Sequence, residues 1–504
     1  MSPSSGSGPA PRPLLAPHTL RDKLRAALIT PLNAMRLAYL PLLMVYFAYG
    51  AMGLVAVGES FWVKKYLTLS PADLAQLGVW LTLPWAIKMV FGELVDTVAI
   101  LGSRRRVYVF LGAGMIAGAL VLLAGAAGGW ITFASPDKIY VGASLLMVSG
   151  VVLQDVVADA MSTEVVVRVN PDGTPRPQAE IDRDLGMVQV LGRLALSFGI
   201  FATAGLAGWL AQNVSYETVF LIGLIVPAIS MSGAVFVRLE TGESRPTDWR
   251  ILTAGLAFGA IVTALLGIDV PYSQEIVFVI SMAVISTMLT YVTRDLPSAT
   301  RLRIVYAALI IFAFRAVPGV GEGYRWFQID ELGFDEAFFG ILGQTGAGIA
   351  LAATWLLSDT ITRRPIPTVL LLLTLLGGLM TLPDIVLVFG GHEWTATHLG
   401  FGARTIAMVD AAAQSPLDQL SMIPLLTLIA IYAPPSKRAL WFALMASFMN
   451  LALVAGQLQT KYLNEIFVVD RGIYQHLPTL VVTALAMRLA IPLIAIGLFG
   501  RKVR

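Results

Sequence analysis

Cysteine is absent from all 504 residues, which excludes disulfides, thiolate metal sites and thiol chemistry. Histidine is scarce. His18, His392, His398 and His476 are the four present, and all fall in segments read as loops or tails. With no histidine at membrane depth, neither haem nor zinc is expected inside an apolar bundle, and no cofactor or metal is implied. Charge is sparse too: Asp, Glu, Lys and Arg make up 13% of the chain, with a formal net charge of +3. So small an excess points away from nucleic acid. No Walker-type loop, HExxH helix or serine–histidine arrangement lies at membrane depth, so an enzyme is not expected. ATP-driven transport would need a separate subunit.

What remains is apolar. The hydrophobic share is 57% and the mean hydropathy +0.75. Apolar runs long enough to span a bilayer, about 20 residues each, recur near 37–58, 74–94, 106–128, 140–164, 185–211 and 216–238. Two more follow near 251–268 and 276–293, and six near 303–320, 336–357, 366–390, 404–432, 439–459 and 477–499. The expected fold is an all-α polytopic membrane protein with about fourteen transmembrane helices. Basic residues in alternate loops and the tails outnumber those in the other loops by about three to one. That bias places both termini in the cytoplasm, and the absence of a targeting signal suggests a bacterial inner (plasma) membrane. Residues 1–34 read as a disordered, basic tail, 35–240 as a first six-helix half, 241–300 as an inserted helix pair with linkers, and 301–504 as a second half.

The two halves echo each other. Leu69-Ser-Pro-Ala-Asp73 precedes the second span, and Leu332-Gly-Phe-Asp335-Glu336 precedes the span near 336–357. The first of these spans ends in Asp96-Thr97 before arginines, the second in Asp359-Thr360 before Arg363 and Arg364. An axis along the membrane normal would relate such halves.

Gly92, Asp96 and the Arg104, Arg105, Arg106 cluster sit between the second and third spans. An acid at a helix end can hold arginines across a short loop, a contact able to serve as a gate when a bundle rocks. The alternative is a basic loop that fixes orientation only. Glu164, at the end of the fourth span, reads as a further gate or loop anchor.

Ionisable groups inside spans cost a few kcal/mol unless paired or wetted, about 3 by insertion scales, and are functional candidates by default. Lys88, Asp155, Asp159 and Arg193 fall at one depth and suggest a mutually paired cluster. One carboxylate would exchange a proton while Lys88 and Arg193 respond to an anion; a permanent structural network is the alternative. The second half offers Arg315, Asp410 and Asp418, with Arg315 the preferred anion anchor because a guanidinium grips a carboxylate bidentately. Arg488 reads as structural. Trp85, three residues from Lys88, either stacks on a flat ring or packs as an interfacial tryptophan.

The chain resembles the folate–biopterin transporters of the major facilitator superfamily. The resemblance runs through Pro84-Trp85-Ala-Ile-Lys88, Gly92, Asp96 and the arginines, then Asp155-Val-Val-Ala-Asp159-Ala160 and Glu164. It continues through Leu332-Gly-Phe334, Gly340, Asp410, Gln419, Pro424, Pro434-Pro435 and the run from Phe442 to Leu451. It implies two six-helix halves around a central cavity lined by the spans near 37–58, 140–164, 303–320 and 404–432. It also implies secondary active transport of a small folate- or pterin-like or other anionic solute, by alternating access and with protons as partner. Muropeptide permeases share the Pro–Trp/Tyr–Lys pattern and are the rival within the superfamily; a non-transporting membrane scaffold is the rival outside it.

Overall fold

The computed structural model describes residues 35–103, 105–170, 172–236, 249–267, 270–362, 365–432 and 438–503. The tail 1–34, Arg104, Arg363, Arg364 and the Asp418 side chain, all part of the sequence reading, lie outside the described residues.

Sixteen helices make up the described fold, with no strand among them. The first half contains α1 (Leu37–Tyr66), α2 (Pro71–Thr97), α3 (Arg106–Gly128), α4 (Pro136–Glu164), α5 (Gln178–Asn213) and α6 (Tyr216–Val235). The insertion is α7 (Trp249–Gly267) and α8 (Ser273–Thr293). Then come α9 (Ser298–Arg315), α10 (Glu322–Asp330), α11 (Glu336–Thr362), α12 (Ile366–Val388), α13 (Gly391–Leu399), α14 (Ala403–Ile431), α15 (Arg438–Phe467) and α16 (Leu477–Phe499). Eleven helices among the described residues are long and apolar enough to cross a membrane. Helices also occupy the other three segments read as spans, as α7, α9 and α14. The short α10 and α13 were not expected.

Local chemistry explains the starts and breaks. Ser70 caps α2 by accepting from the Asp73 amide at 3.1 Å, while Asp73 accepts from the Ser70 amide at 2.9 Å. In α11 the cap is the acid itself: Asp335 accepts from the Phe338 amide at 2.8 Å. Burial alone would raise the Asp335 carboxyl, but that amide and Arg404, at 2.7 Å, hold it below the usual carboxylate range. The sequence echo is thus one of cap geometry, with the acid shifted from the third helical position to the cap.

Pro84 cannot donate to the Trp80 carbonyl inside α2, and three residues beyond it the helix breaks at Ile87, where φ is −102° and ψ 20°. The break leaves the Trp85 carbonyl available, and Asn450 Nδ2 of α15 donates to it at 3.1 Å. The predicted span near 303–320 is likewise interrupted. α9 ends at Arg315, and residues 316–321 are unwound. α15 serves that bare backbone: Gln459 donates to the Ala316 carbonyl at 2.7 Å, Asn464 to the Val320 carbonyl at 3.0 Å, and the Gly319 amide donates to Thr460 at 2.9 Å. Irregular backbone at membrane depth survives only where protein groups satisfy it like this.

The halves meet along two seams, α5 on α11 and α2 on α15. At the first, Gly208 faces Gly340 so closely that a Cβ on Gly208 would lie 2.5 Å from the Glu336 carbonyl oxygen and 2.6 Å from the Gly340 Cα. Backbone atoms cannot step aside as a side-chain tip can. We expect Gly208→Leu to separate the seam and cost about 1–3 kcal/mol or more. Thermal unfolding in detergent should show a lowered midpoint, and an unchanged midpoint would contradict the tight crossing.

α8 fastens to α15 through Glu275, which accepts from Lys461 at 3.3 Å and Tyr462 at 2.5 Å. α7 lies on the second segment of α2, with Val90 against Gly255. The insertion therefore lies along the α2–α15 seam, touching both halves. Its outward side chains, among them Leu256, Val279 and Val284, are exposed and apolar, as suits a surface solvated by lipid.

Candidate functional site

A cavity of about 840 Å³ lies between the halves. Its walls come from α1, α2, α4 and α5 on one side and α9, α14 and α15 on the other. Four cations and four carboxylates line it: Lys88, Arg105, Arg193 and Arg315 with Asp96, Asp155, Asp159 and Glu164. Its charged lining runs toward the end that carries the loop between α2 and α3, the open end of the bundle.

Lys88 begins the second segment of α2, directly after the break at Ile87. Its ammonium donates to Asp155 at 2.5 Å and to Asp159 at 2.6 Å. The carboxylates are one turn apart on α4, so a single point charge can bridge them. Tyr46 of α1 donates to the other oxygen of Asp159 at 2.8 Å. Asp155 is 11% exposed and Asp159 49%, so of the two Asp159 faces the wet cavity. Tyr46 had no signal in the sequence beyond being a polar group in an apolar span.

Arg193 departs from the expectation. It lines the same cavity from α5, yet among the described residues it forms no ion pair. The paired cluster has three members, not four. Arg315 ends α9 at the unwound segment, where the helix dipole favours a cation, and it donates to Met422 Sδ at 3.4 Å. Trp85 lines the cavity and stacks on Tyr49, with centroids 5.9 Å apart at 26°.

Among the described residues, Arg105 is the arginine of the basic cluster that engages the acids. It donates to Asp96 at 2.9 Å, to Glu164 at 3.0 and 2.6 Å, and to the Val95 carbonyl at 2.8 Å. These three partners belong to the first half, and their bonds pin loop to bundle within that half in this conformation. Arg106 instead lies over Phe110, 5.7 Å from its centroid. Gly92 borders the cavity, and a Cβ added there would meet nothing; this conformation makes no demand for glycine.

The opposite end is shut by contacts the sequence reading did not single out. Lys64 of α1 pairs with Asp330 of α10, and Tyr474 donates to the same acid at 2.5 Å. Lys65 pairs with Glu336 of α11 at 3.1 Å. Arg471, in the turn before α16, donates to the carbonyls of Lys64, Leu69 and Leu67 at 2.8, 2.9 and 2.8 Å, and to Val63 at 3.2 Å. Its guanidinium lies 4.2 Å from the ring centroid of the buried Trp326. A cation at the carbonyl end of α1 meets both the free carbonyls and the helix dipole.

Asp410 is not in the large cavity. It lines a second one, of about 430 Å³, bounded by α1 and α5 of one half and α10, α11 and α14 of the other. Gln414 donates to it at 2.5 Å and to Asp384 at 3.1 Å, and Tyr324 donates to Asp384 at 2.6 Å. Arg488 lines a smaller cavity with Arg315.

The BT1 family model matches residues 50–501. The chain is 26% identical over 439 residues to the folate-biopterin transporter of Synechocystis sp. (strain ATCC 27184 / PCC 6803 / Kazusa), covering 86% of this chain and 76% of the relative. It is 22% identical over 461 residues to the probable folate-biopterin transporter 4 of Arabidopsis thaliana, covering 86% and 89%. Among solved structures it resembles a peptide transporter POT in complex with sulfate, at TM-score 0.60 and 15% identity, with 93% and 94% covered. A POT family transporter in complex with 5-aminolevulinic acid gives TM-score 0.61 at 13% identity, with 93% and 96% covered. These structures share the fold.

Proposed function

From the premise that the chain belongs to the BT1 family and is an integral membrane transporter rather than an enzyme, we propose that it carries a folate- or pterin-like anion by alternating access, coupled to protons. The observation that carries this reading is the pair Arg193 and Arg315, one from each half, facing one cavity. An anion bound by both would tie the halves together across the seam, which is what a substrate must do to trigger closure. A guanidinium suits a carboxylate because its donors lie in one plane.

The Lys88–Asp155–Asp159 group supplies the coupling. Lys88 is shared between two carboxylates, and a proton arriving on Asp159, the more exposed of them, would free the ammonium to turn toward the substrate. Proton and anion then enter as partners, the proton loosening the cluster and the anion taking up the ammonium. The open end is read as cytoplasmic, because the basic loops gather there. We read residues 35–240 and 301–504 as the moving halves.

Purified protein in proteoliposomes tests this. With an imposed pH gradient, radiolabelled folate or biopterin is expected to accumulate, and Asp159→Asn to abolish accumulation while leaving the protein folded. Accumulation that ignores the gradient would remove the proton from the scheme. No accumulation of either compound would remove the substrate class.

A further inference from the structure

The second cavity has a chemistry of its own. The large cavity offers two arginines from opposite halves, whereas this one offers aromatic walls and an acid. Phe61 of α1 and Phe339 of α11 pack edge to face, with centroids 5.7 Å apart, and both line it. Arg325 lies over Phe339 at 5.4 Å, and Tyr324 forms part of the wall. Asp410 takes its hydrogen bond from Gln414 on Oδ1. Among the described residues, its Oδ2 accepts nothing. Ser60 lines the same cavity, and its buried hydroxyl has no partner among the described residues. A volume of about 430 Å³ falls within the range of roughly 300–1,000 Å³ usual for small-molecule sites.

Its place in the fold gives it a direction. Ser60 and Phe61 lie one turn before Lys64 and Lys65, and Tyr324 and Arg325 lie on the helix that ends at Asp330. The cavity therefore sits just inside the latched end, on the far side of the bundle from the open cavity. Both halves contribute to it, so it changes shape whenever they rock.

We propose that this cavity is a second ligand subsite, which receives a flat heteroaromatic ring with N–H donors as the latched end opens. Phe61 and Phe339 hold the ring, Asp410 Oδ2 accepts from an edge N–H, and the Ser60 hydroxyl gains the partner it lacks. The subsite rests on the folate or pterin reading for its ligand, since a pterin presents such an edge. For a folate the two cavities divide the molecule: the ring is read by the acid near the latched end, and the carboxylate tail by Arg193 and Arg315.

The lack of native cysteine provides the test. Ser60→Cys in vesicles is treated with a membrane-impermeant maleimide from the latched side, with or without biopterin, and biopterin uptake is measured in the same vesicles. Biopterin is expected to slow labelling about tenfold or more, the scale of a hydrogen bond to a charged group. Adding Asp410→Ala is expected to remove that protection. p-Aminobenzoylglutamate, which lacks the ring, is expected to give none. Thr163→Cys, on the wall of the large cavity, labelled from the open side with or without p-aminobenzoylglutamate, is the control, and Asp410→Ala should leave its protection unchanged. Uptake without protection of Ser60→Cys would overturn the subsite and leave the transport reading standing. Absence of both would overturn the two together. A Ser60→Cys unreactive from either side, protection that survives Asp410→Ala, or equal changes at both cysteines would each overturn the subsite.

Discussion

Lys88→Met is expected to reduce gradient-driven uptake by about two orders of magnitude. The ammonium stands 2.5 and 2.6 Å from Asp155 and Asp159, and methionine matches its length without its charge. Two carboxylates one turn apart are then left with Tyr46 as their donor. Breaking a buried pair costs about 3–5 kcal/mol. Asp159 is 49% exposed to the cavity, so water recovers part of that, and about 3 kcal/mol is the fair expectation. Carried into the barrier of the coupled step, each 1.36 kcal/mol is tenfold in rate. Initial uptake rates in proteoliposomes check the magnitude, with a melting curve alongside to separate misfolding from lost transport. The double variant with Asp155→Asn should recover the melting temperature but not the coupling. If the single variant transported within a few fold of the parent, the cluster would be packing alone.

Arg471→Ala is expected to release the latched end. Four carbonyls and the face of Trp326 hold this guanidinium across the seam between α1 and the turn before α16. Hydrogen bonds to a charged group contribute about 1.5–3 kcal/mol each where buried. With the side chain 30% exposed and the acceptors open to water once released, the net loss is about 2–3 kcal/mol in total. A shift of that size changes a two-state ratio by about a hundredfold. Spin labels on cysteines placed at Tyr66 and Glu331, in a chain with no other thiol, report the opening directly. The distance distribution should move to longer values in the variant. An unaltered distribution would show that the Lys64–Asp330 and Lys65–Glu336 pairs suffice to hold the end shut.

The large pattern was legible because membrane insertion imposes it locally. Twenty apolar residues form a helix whatever their neighbours, and the basic loops alternate whatever the packing. Lys88, Asp155 and Asp159 were legible for the same reason, since a charge in an apolar run needs a partner. Arg193 and Asp410 were harder. Depth can be counted from a span's end, but the face a residue presents depends on crossings such as α5 on α11, which glycines set. The latch was legible only in hindsight, and from the exceptions. Lys64, Lys65, Arg404, Lys461 and Arg471 sit on the side the charge bias should have kept clear. Each makes an ion pair or a set of carbonyl contacts there. In these five cases, basic residues on the wrong side of the topology map point to specific contacts. The break after Arg315 was missed because its stabilising partners, Gln459, Thr460 and Asn464, belong to a helix about 140 residues away in sequence.

The inserted hairpin touches both halves, and both grips cannot persist unchanged while the halves swing. The grip on α15 is polar, a carboxylate held by an ammonium and a phenol. The grip on α2 is apolar: Val90 rests against Gly255, and Trp80 and Leu83 pack with Val277, Phe258 and Leu265. Apolar surfaces slide past one another at little cost, whereas a half-buried carboxylate loses charge-assisted hydrogen bonds when its donors are pulled away. In the proposed rocking motion the hairpin is expected to ride with the second half as cargo, with α2 slipping beneath it like a shaft in a plain bearing.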